Sequence, residues 1–162
     1  MATIDQLLFA LALVAALGCG LIAGVFFAFS AFVMKALARL SPGEGIAAMQ
    51  SINVAVLNPS FMAAFFGTAA ACGLALIFSL LRWDEPGAIY LFVGGVLYLV
   101  GSLLVTIAFN VPRNEALASV ARADPGGASL WAGYVSGWTA WNHVRTAASL
   151  ASAASFSIAL GY

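Results

Sequence analysis

Polar residues in this chain are few and fall in clusters, and the stretches between the clusters are long enough to cross a bilayer. A hydrocarbon core about 30 Å thick is spanned by roughly 20 apolar residues in a helix. Four segments meet that length: 7–34, 60–81, 89–109 and 139–160. The first is uncharged, stops at Lys35 and Arg39, and is followed by the turn Ser41-Pro42-Gly43. Residues 46–81 are also uncharged, but Asn58-Pro59 divides them, because proline lacks a donor and disfavours the helical conformation of the residue before it. Residues 46–57, with Gln50 and Asn53, then form a short interfacial or re-entrant helix, and 60–81 form the second span. The third span ends at Asn110-Val111-Pro112-Arg113-Asn114, read as a second Asn and Pro turn. The predicted fold is all-α: a single membrane domain, a four-helix bundle with one short helix between its first two spans.

The last span is the most informative. Thr146 to Tyr162 is 17 residues, about 25 Å of helix, which falls short of the hydrocarbon thickness. Starting the helix near Trp138 supplies the missing length and brings Asn142, His143 and Arg145 to the edge of the bilayer. A titratable or charged group at that depth is costly unless it snorkels or pairs, and it marks a functional site.

Small residues at spacing four recur in three spans: Ala16, Gly20, Gly24 and Ala28; Ala63, Gly67, Ala71 and Ala75; Ala147, Ala151, Ser155 and Ala159. They are expected to be the packing seams of the bundle, and some of them homo-oligomer contacts, since small residues let helix backbones approach closely in lipid. Lys35, Arg39, Arg113, Arg122 and Arg145 fall on one side of a four-span topology and Arg82 on the other. The excess of positive charge assigns loops 35–59 and 110–138 to the cytoplasm and both termini to the outside.

Composition agrees with this reading. Hydrophobic residues make up 64% and charged residues 7%, with six cationic side chains balancing six anionic ones, against roughly 25% charge in a soluble domain. A neutral chain without basic tracts has nothing to offer a phosphate backbone, so nucleic acid is excluded as a partner. Lipids, O2 and apolar small molecules remain. The N-terminal segment has no basic region and a very long apolar run, and is read as a retained helix rather than a signal peptide. Leu17-Gly18-Cys19 lacks the surroundings of a lipidation box. Cys19 and Cys72 are read as small buried thiols.

The polar groups predicted for the cytoplasmic side converge on one end of an apolar bundle, which is the makeup of a ligand pocket. They are Asn53, Asn58, Thr106, Asn110, Arg113, Asn114, Glu115, Asn142, His143 and Arg145. Each also has a plainer reading. The stripe of Trp131, Tyr134, Trp138 and Trp141 equally suits an interfacial aromatic belt. Arg145 equally suits snorkelling to head groups, and Asn58 and Asn114 suit caps or turns. Metal chemistry has little support, because catalytic sites take about three protein ligands and the chain has one histidine. His143 would need oxygen ligands from Glu44, Glu115 or Asp124. A haem held by two histidines of one chain is ruled out.

Five motifs, taken together, resemble the anthrone oxygenase-like family of small membrane proteins over nearly the whole chain. They are Gly24-Val25-Phe26-Phe27-Ala28-Phe29-Ser30, Ala48-Met49-Gln50-Ser51-Ile52-Asn53, Asn58-Pro59-Ser60-Phe61-Met62, Asn110-Val111-Pro112-Arg113-Asn114 and Trp138-Thr139-Ala140-Trp141-Asn142-His143-Val144-Arg145-Thr146. Arg113 stands where the family pattern has leucine. The resemblance implies oxidation of an anthrone-like aromatic by O2 without a cofactor. His143 would be the base, and Arg145 with Asn110 or Asn142 would stabilise the enolate oxygen. Trp138, Trp141, Phe26 and Phe27 would hold the planar ring, with Asn53, Asn58, Arg113 and Asn114 around it. Short loops and an Ala-rich composition point to a bacterial inner membrane. His143 and Arg145 lie about 200° apart on a continuous helix and cannot both face one small pocket. Two alternatives stay open: a bundle that binds or transports a quinone, lipid or other apolar metabolite, and a structural membrane oligomer.

Overall fold

The computed structural model describes residues 3–121 and 126–162; Arg122 and Asp124 lie outside the described residues. All regular structure among them is helical, in five rods: α1 (Ile4–Leu37), α2 (Pro42–Ala55), α3 (Pro59–Leu81), α4 (Ala88–Ala118) and α5 (Gly127–Ala159). Three of these, α1, α3 and α4, are long and apolar enough to cross a membrane. α1 packs on α3 and α5, and α4 packs on the same two helices.

Local chemistry sets the boundaries. Asn58 caps α3, its Oδ1 accepting from Phe61 N at 3.0 Å, while its Nδ2 donates to Ala55 O at 2.9 Å across the break. Ser41 and Glu44 box the start of α2: Glu44 Oε2 accepts from Ser41 N at 3.2 Å and from Ser41 Oγ at 2.6 Å. These bonds hold the Glu44 carboxyl below the usual carboxylate range. At the other end of the molecule Arg82 donates to Asp5 at 2.7 Å and to Glu85 at 3.2 Å.

Two sequence-based boundaries need correcting. The motif Asn110-Val111-Pro112-Arg113-Asn114 does not end the third span, because α4 runs on to Ala118. Wide π-helical turns at Leu99–Leu104 and Thr106–Asn110 come just before Pro112, which then sits in the first turn of the continuing helix, where its missing donor leaves no bond unmade. The last helix begins at Gly127, not near Trp138, and its 33 residues reach about 50 Å. α1, α4 and α5 therefore outrun the hydrocarbon core. Their extensions close with α2 into a second apolar core of Met34, Ile46, Met49, Leu117, Trp131, Tyr134 and Trp138. The main core, with Cys19, Ile22, Phe26, Phe65, Cys72, Tyr98 and Phe156, lies along the spans.

The small-residue stripes are corrected too. Gly20, Gly24 and Gly67 have open space where a side chain would be, and Ala63, Ala147 and Ala151 are exposed. Of the named positions Ala71, Ala75 and Ser155 are buried. The stripes are therefore divided: Gly20, Gly24, Gly67, Ala63, Ala147 and Ala151 face outward, while Ala71, Ala75 and Ser155 pack inside, as do two glycines of α4. Gly94 receives the Phe156 ring, and Gly101 meets Ala148. α5 buries a polar face: Ser152 Oγ donates to Gly94 O at 2.7 Å and Ser155 Oγ to Tyr90 O at 2.8 Å, tying α5 to α4. Buried serines of this kind act as interhelical glue in lipid, and they explain the low hydropathy of a helix whose outward residues include Val144, Leu150 and Ile158.

Candidate functional site

A cavity of about 640 Å³ opens between the end of α2, the start of α3 and the π-helical part of α4, with α1 and α5 as its inner wall. It lies between the two apolar cores. π-helical turns build both sides of it: Phe29–Val33 in α1, and in α4 the turns that carry Leu103, Thr106, Ile107 and Asn110. Such turns rotate side chains out of the regular helical register, and they recur at functional sites.

The charged group buried at this cavity is Arg145, 4% exposed. Its NH2 donates to Asn142 Oδ1 at 2.6 Å and its NH1 to Thr106 Oγ1 at 3.2 Å. The guanidinium lies over the Phe26 ring, 4.2 Å from its centroid, and 5.1 Å from that of Trp138. Among the described residues the salt bridges are those of Arg82, so no carboxylate neutralises Arg145. The charge is held by dipoles and aromatic faces, a favourable arrangement for a desolvated guanidinium. Its plainer reading as a snorkelling residue fails, because it points into the protein.

Asn142 holds this arginine in place. Its Nδ2 donates to Phe26 O and to Ser30 Oγ, both at 2.7 Å, which pins α5 to α1 and aims Oδ1 at Arg145. Asn142 sits behind the cavity wall and is a positioning residue. Asn114 Oδ1 accepts from Tyr134 Oη and Trp138 Nε1, both at 2.9 Å, leaving its amide nitrogen for the cavity. Asn110 donates through Nδ2 to Trp138 O at 3.3 Å.

Two buried polar atoms of cavity-lining residues, Arg145 Nε and Asn110 Oδ1, form no hydrogen bond among the described residues, whereas the Asn53 amide lies close enough to the Tyr134 hydroxyl to act on it. Leaving such a group unsatisfied costs about 1–3 kcal/mol, more for a charged one. These atoms expose almost no surface, so the apolar space beside them is bordered by the aromatic rings and by the remaining atoms of the same side chains.

The structure thus brings together Phe26, Asn53, Asn110, Asn114, Trp138 and Arg145 around the cavity, with Asn142 behind them. It leaves the other predicted residues elsewhere. His143 is exposed on the opposite face of α5, as its 200° offset from Arg145 requires. Phe27 is exposed on the outer face of α1. Asn58 is spent on its cap. Arg113 donates to Phe109 O at 2.6 Å and packs beside Gly137, away from the cavity. Trp141 stacks on Phe109 with centroids 3.5 Å apart. Trp131, Tyr134 and Trp138 form a buried stack, at 5.7 and 6.4 Å, instead of an interfacial belt. The residues not singled out as ring-binding were Phe29, Phe61 and Phe65; Phe61 and Phe65 stack at 6.0 Å with an 8° interplanar angle. Their i, i+4 spacing was the available signal. Among the described residues no three His, Cys, Asp or Glu side chains come together.

The fold and site define a helical membrane protein with an aromatic cavity bordered by a buried arginine that, among the described residues, no carboxylate pairs with. The anthrone oxygenase family model matches residues 60–155, and the chain belongs to that family. No curated protein and no solved structure resembles the chain closely enough to count as a match.

Proposed function

We propose that this protein is a membrane-embedded oxygenase-type enzyme that oxidises an apolar aromatic, anthrone-like substrate with O2 in the cavity at Arg145. The buried Arg145, bordering an aromatic chamber with no carboxylate paired to it among the described residues, carries this reading. The reaction balances as anthrone plus O2 giving anthraquinone plus water. A base removes a proton from the ring carbon opposite the ketone, and the negative charge spreads to the ketone oxygen. Arg145, with the Asn53 and Asn114 amides, stabilises that oxyanion in a water-poor site, where such donors are most effective. The electron-rich enolate passes one electron to O2, and the radical pair combines at the ring carbon. The hydroperoxide so formed then loses water to leave the second carbonyl. No resident cofactor is needed for these steps.

His143 is the base the family resemblance suggested, but it faces away from the chamber. Glu115 is the carboxylate lining the cavity, and we assign it the proton transfer. Phe26, Phe65 and Trp138 clasp the ring. α5 is the fourth crossing of a four-helix bundle, its polar face turned inward. The termini lie outside and α2 on the cytoplasmic side, since Lys35, Arg39, Arg113 and Arg122 still outweigh Arg82 once the buried Arg145 is set aside. A bacterial inner membrane suits this topology.

The position of His143 favours one second reading, a carrier that holds the same ligand unchanged. Oxygen uptake by purified protein in vesicles with added anthrone separates the two. The enzyme gives uptake matched by quinone formation above the spontaneous rate. A carrier gives saturable binding with anthrone recovered intact.

A further inference from the structure

The lining of the cavity is not uniform from inside to outside. Its inner end is aromatic and polar: Phe26, Phe65 and Trp138 are about 5% exposed or less, and they stand with Asn110 and Arg145. Its outer end is mostly aliphatic, with Glu115 exposed one turn beyond Val111 on the same face of α4. Phe66 and Ile107 line the cavity and yet are each 54% exposed, and Val111 does the same at 38%. This opening lies at membrane depth. Ile107 is eleven residues, roughly 16 Å, from the Ala118 end of α4, and Phe66 is seven residues, roughly 10 Å, from the Pro59 start of α3; both helices are long and apolar enough to span. α2 packs on α5 and on the end of α4, whereas α3 packs on α1 and on the earlier part of α4. The gap between α3 and the Ile107 face of α4 therefore opens toward acyl chains.

A ligand fitting this segregation has its oxygens and its ring at the inner end and hydrocarbon at the opening. We infer that the natural ligand is a ring-and-chain amphiphile: a hydroxylated or keto aromatic head held at Arg145, Asn53 and Asn110, with an aliphatic chain leaving between Phe66 and Ile107 into the bilayer. The head goes in first and its chain trails in lipid. Because lipid is as apolar as the portal, the chain adds little affinity over its value in the membrane. It decides instead which molecules fit the exit.

This ligand class rests on the cavity being the site of oxidation. Oxygen uptake with tail-free anthrone tests that reading, whereas the chain is tested by binding without turnover. The probes are 2-naphthol and a 2-naphthol carrying a dodecyl chain, titrated anaerobically into full-length protein in phosphatidylcholine vesicles. Quenching of tryptophan fluorescence reports occupancy, with concentrations expressed in the bilayer. Wild type binds the two with similar affinity. Ile107→Trp, with the larger ring obstructing the exit, weakens the dodecyl probe by about tenfold or more and leaves 2-naphthol within about twofold, as expected for overpacking one path. Val111→Trp, one helical turn further along the same face, does the same and stands in if the first variant fails to fold. Equal weakening of both probes by these variants, no weakening of either, or failure of wild type to bind the dodecyl probe would each overturn the proposal.

Discussion

Replacing Arg145 by glutamine is the most revealing perturbation of this site. The change removes a charge that is 4% exposed and bonded to Asn142 Oδ1 at 2.6 Å and Thr106 Oγ1 at 3.2 Å. For folding the effects oppose one another. Desolvation of the guanidinium is relieved, while two hydrogen bonds and two cation–π contacts are lost, and Asn142 Oδ1 is left with one partner fewer. One unsatisfied buried acceptor costs about 1–3 kcal/mol, so a moderate loss of thermal stability in detergent is expected. Turnover should suffer more. A preorganised donor to a developing oxyanion supplies about 3–4 kcal/mol, or 10²–10³ in kcat. Arg145→Lys keeps the charge but loses the planar fork, and should recover a minority of that rate. The assay is anthrone-dependent oxygen uptake corrected for spontaneous oxidation, alongside a melting curve for each variant. A folded Arg145→Gln protein with undiminished kcat would refute the role of this arginine.

Further expectations follow from the same geometry. His143→Ala, on the exposed face of α5, should leave oxygen uptake and melting temperature within error of wild type; a large loss of turnover would return the base to His143. Glu115→Gln should lower kcat by about 10²-fold with little change in anthrone binding, as removal of a general base does. Asn142→Ala unhooks Arg145 from α1 and should cost about 2–3 kcal/mol of stability through the lost bonds to Phe26 O and Ser30 Oγ, with a raised KM besides. Gly45→Ala would set a methyl 2.7 Å from the Trp131 ring, and should loosen the second apolar core enough to lower the melting temperature by several degrees, about 1–3 kcal/mol of overpacking. Because the folded-state pKa of Glu44 is depressed by Ser41, its contribution is present above the unfolded carboxylate pKa and is lost as pH falls through the folded value. Glu44→Gln should remove that acid-side loss from the melting-temperature profile.

Much of the fold was legible because bilayer physics is unforgiving. Spans were marked by uncharged length, and the break at Asn58-Pro59 followed from the missing proline donor. The extent of α4 was not legible, because Pro112 breaks a regular helix but is absorbed after π-helical turns that leave no mark in hydropathy. Ser155 was read as a packing position and does tie α5 to Tyr90, but Ser149 and Ser152 were not picked out, because hydropathy treats polar residues as outward, whereas in lipid a hydroxyl turns toward a neighbouring carbonyl. The stripes at Gly20, Gly24 and Gly67 followed the right spacing on a face with no partner within the chain.

At the site, rarity of type pointed to Arg145, Asn110 and Trp138, which line the cavity, and to Asn142, which bonds Arg145 from behind it. It pointed equally to His143, which its offset of about 200° from Arg145 puts on the exposed face of α5. The unpaired state of Arg145 Nε and Asn110 Oδ1 depends on contacts between helices far apart in sequence, and spacing alone could not reveal it.

The central claim is that O2 reacts with the bound ring in this cavity, and isotope labelling tests it directly. Anthrone is supplied to the protein in vesicles under 18O2 for a few turnovers, with the Arg145→Gln protein as the background, and the quinone is analysed by mass spectrometry. The account predicts one 18O atom in each enzyme-formed anthraquinone, with the other oxygen of O2 released as water. Quinone formation no faster than with Arg145→Gln, or enzyme-dependent quinone without the label, would contradict it.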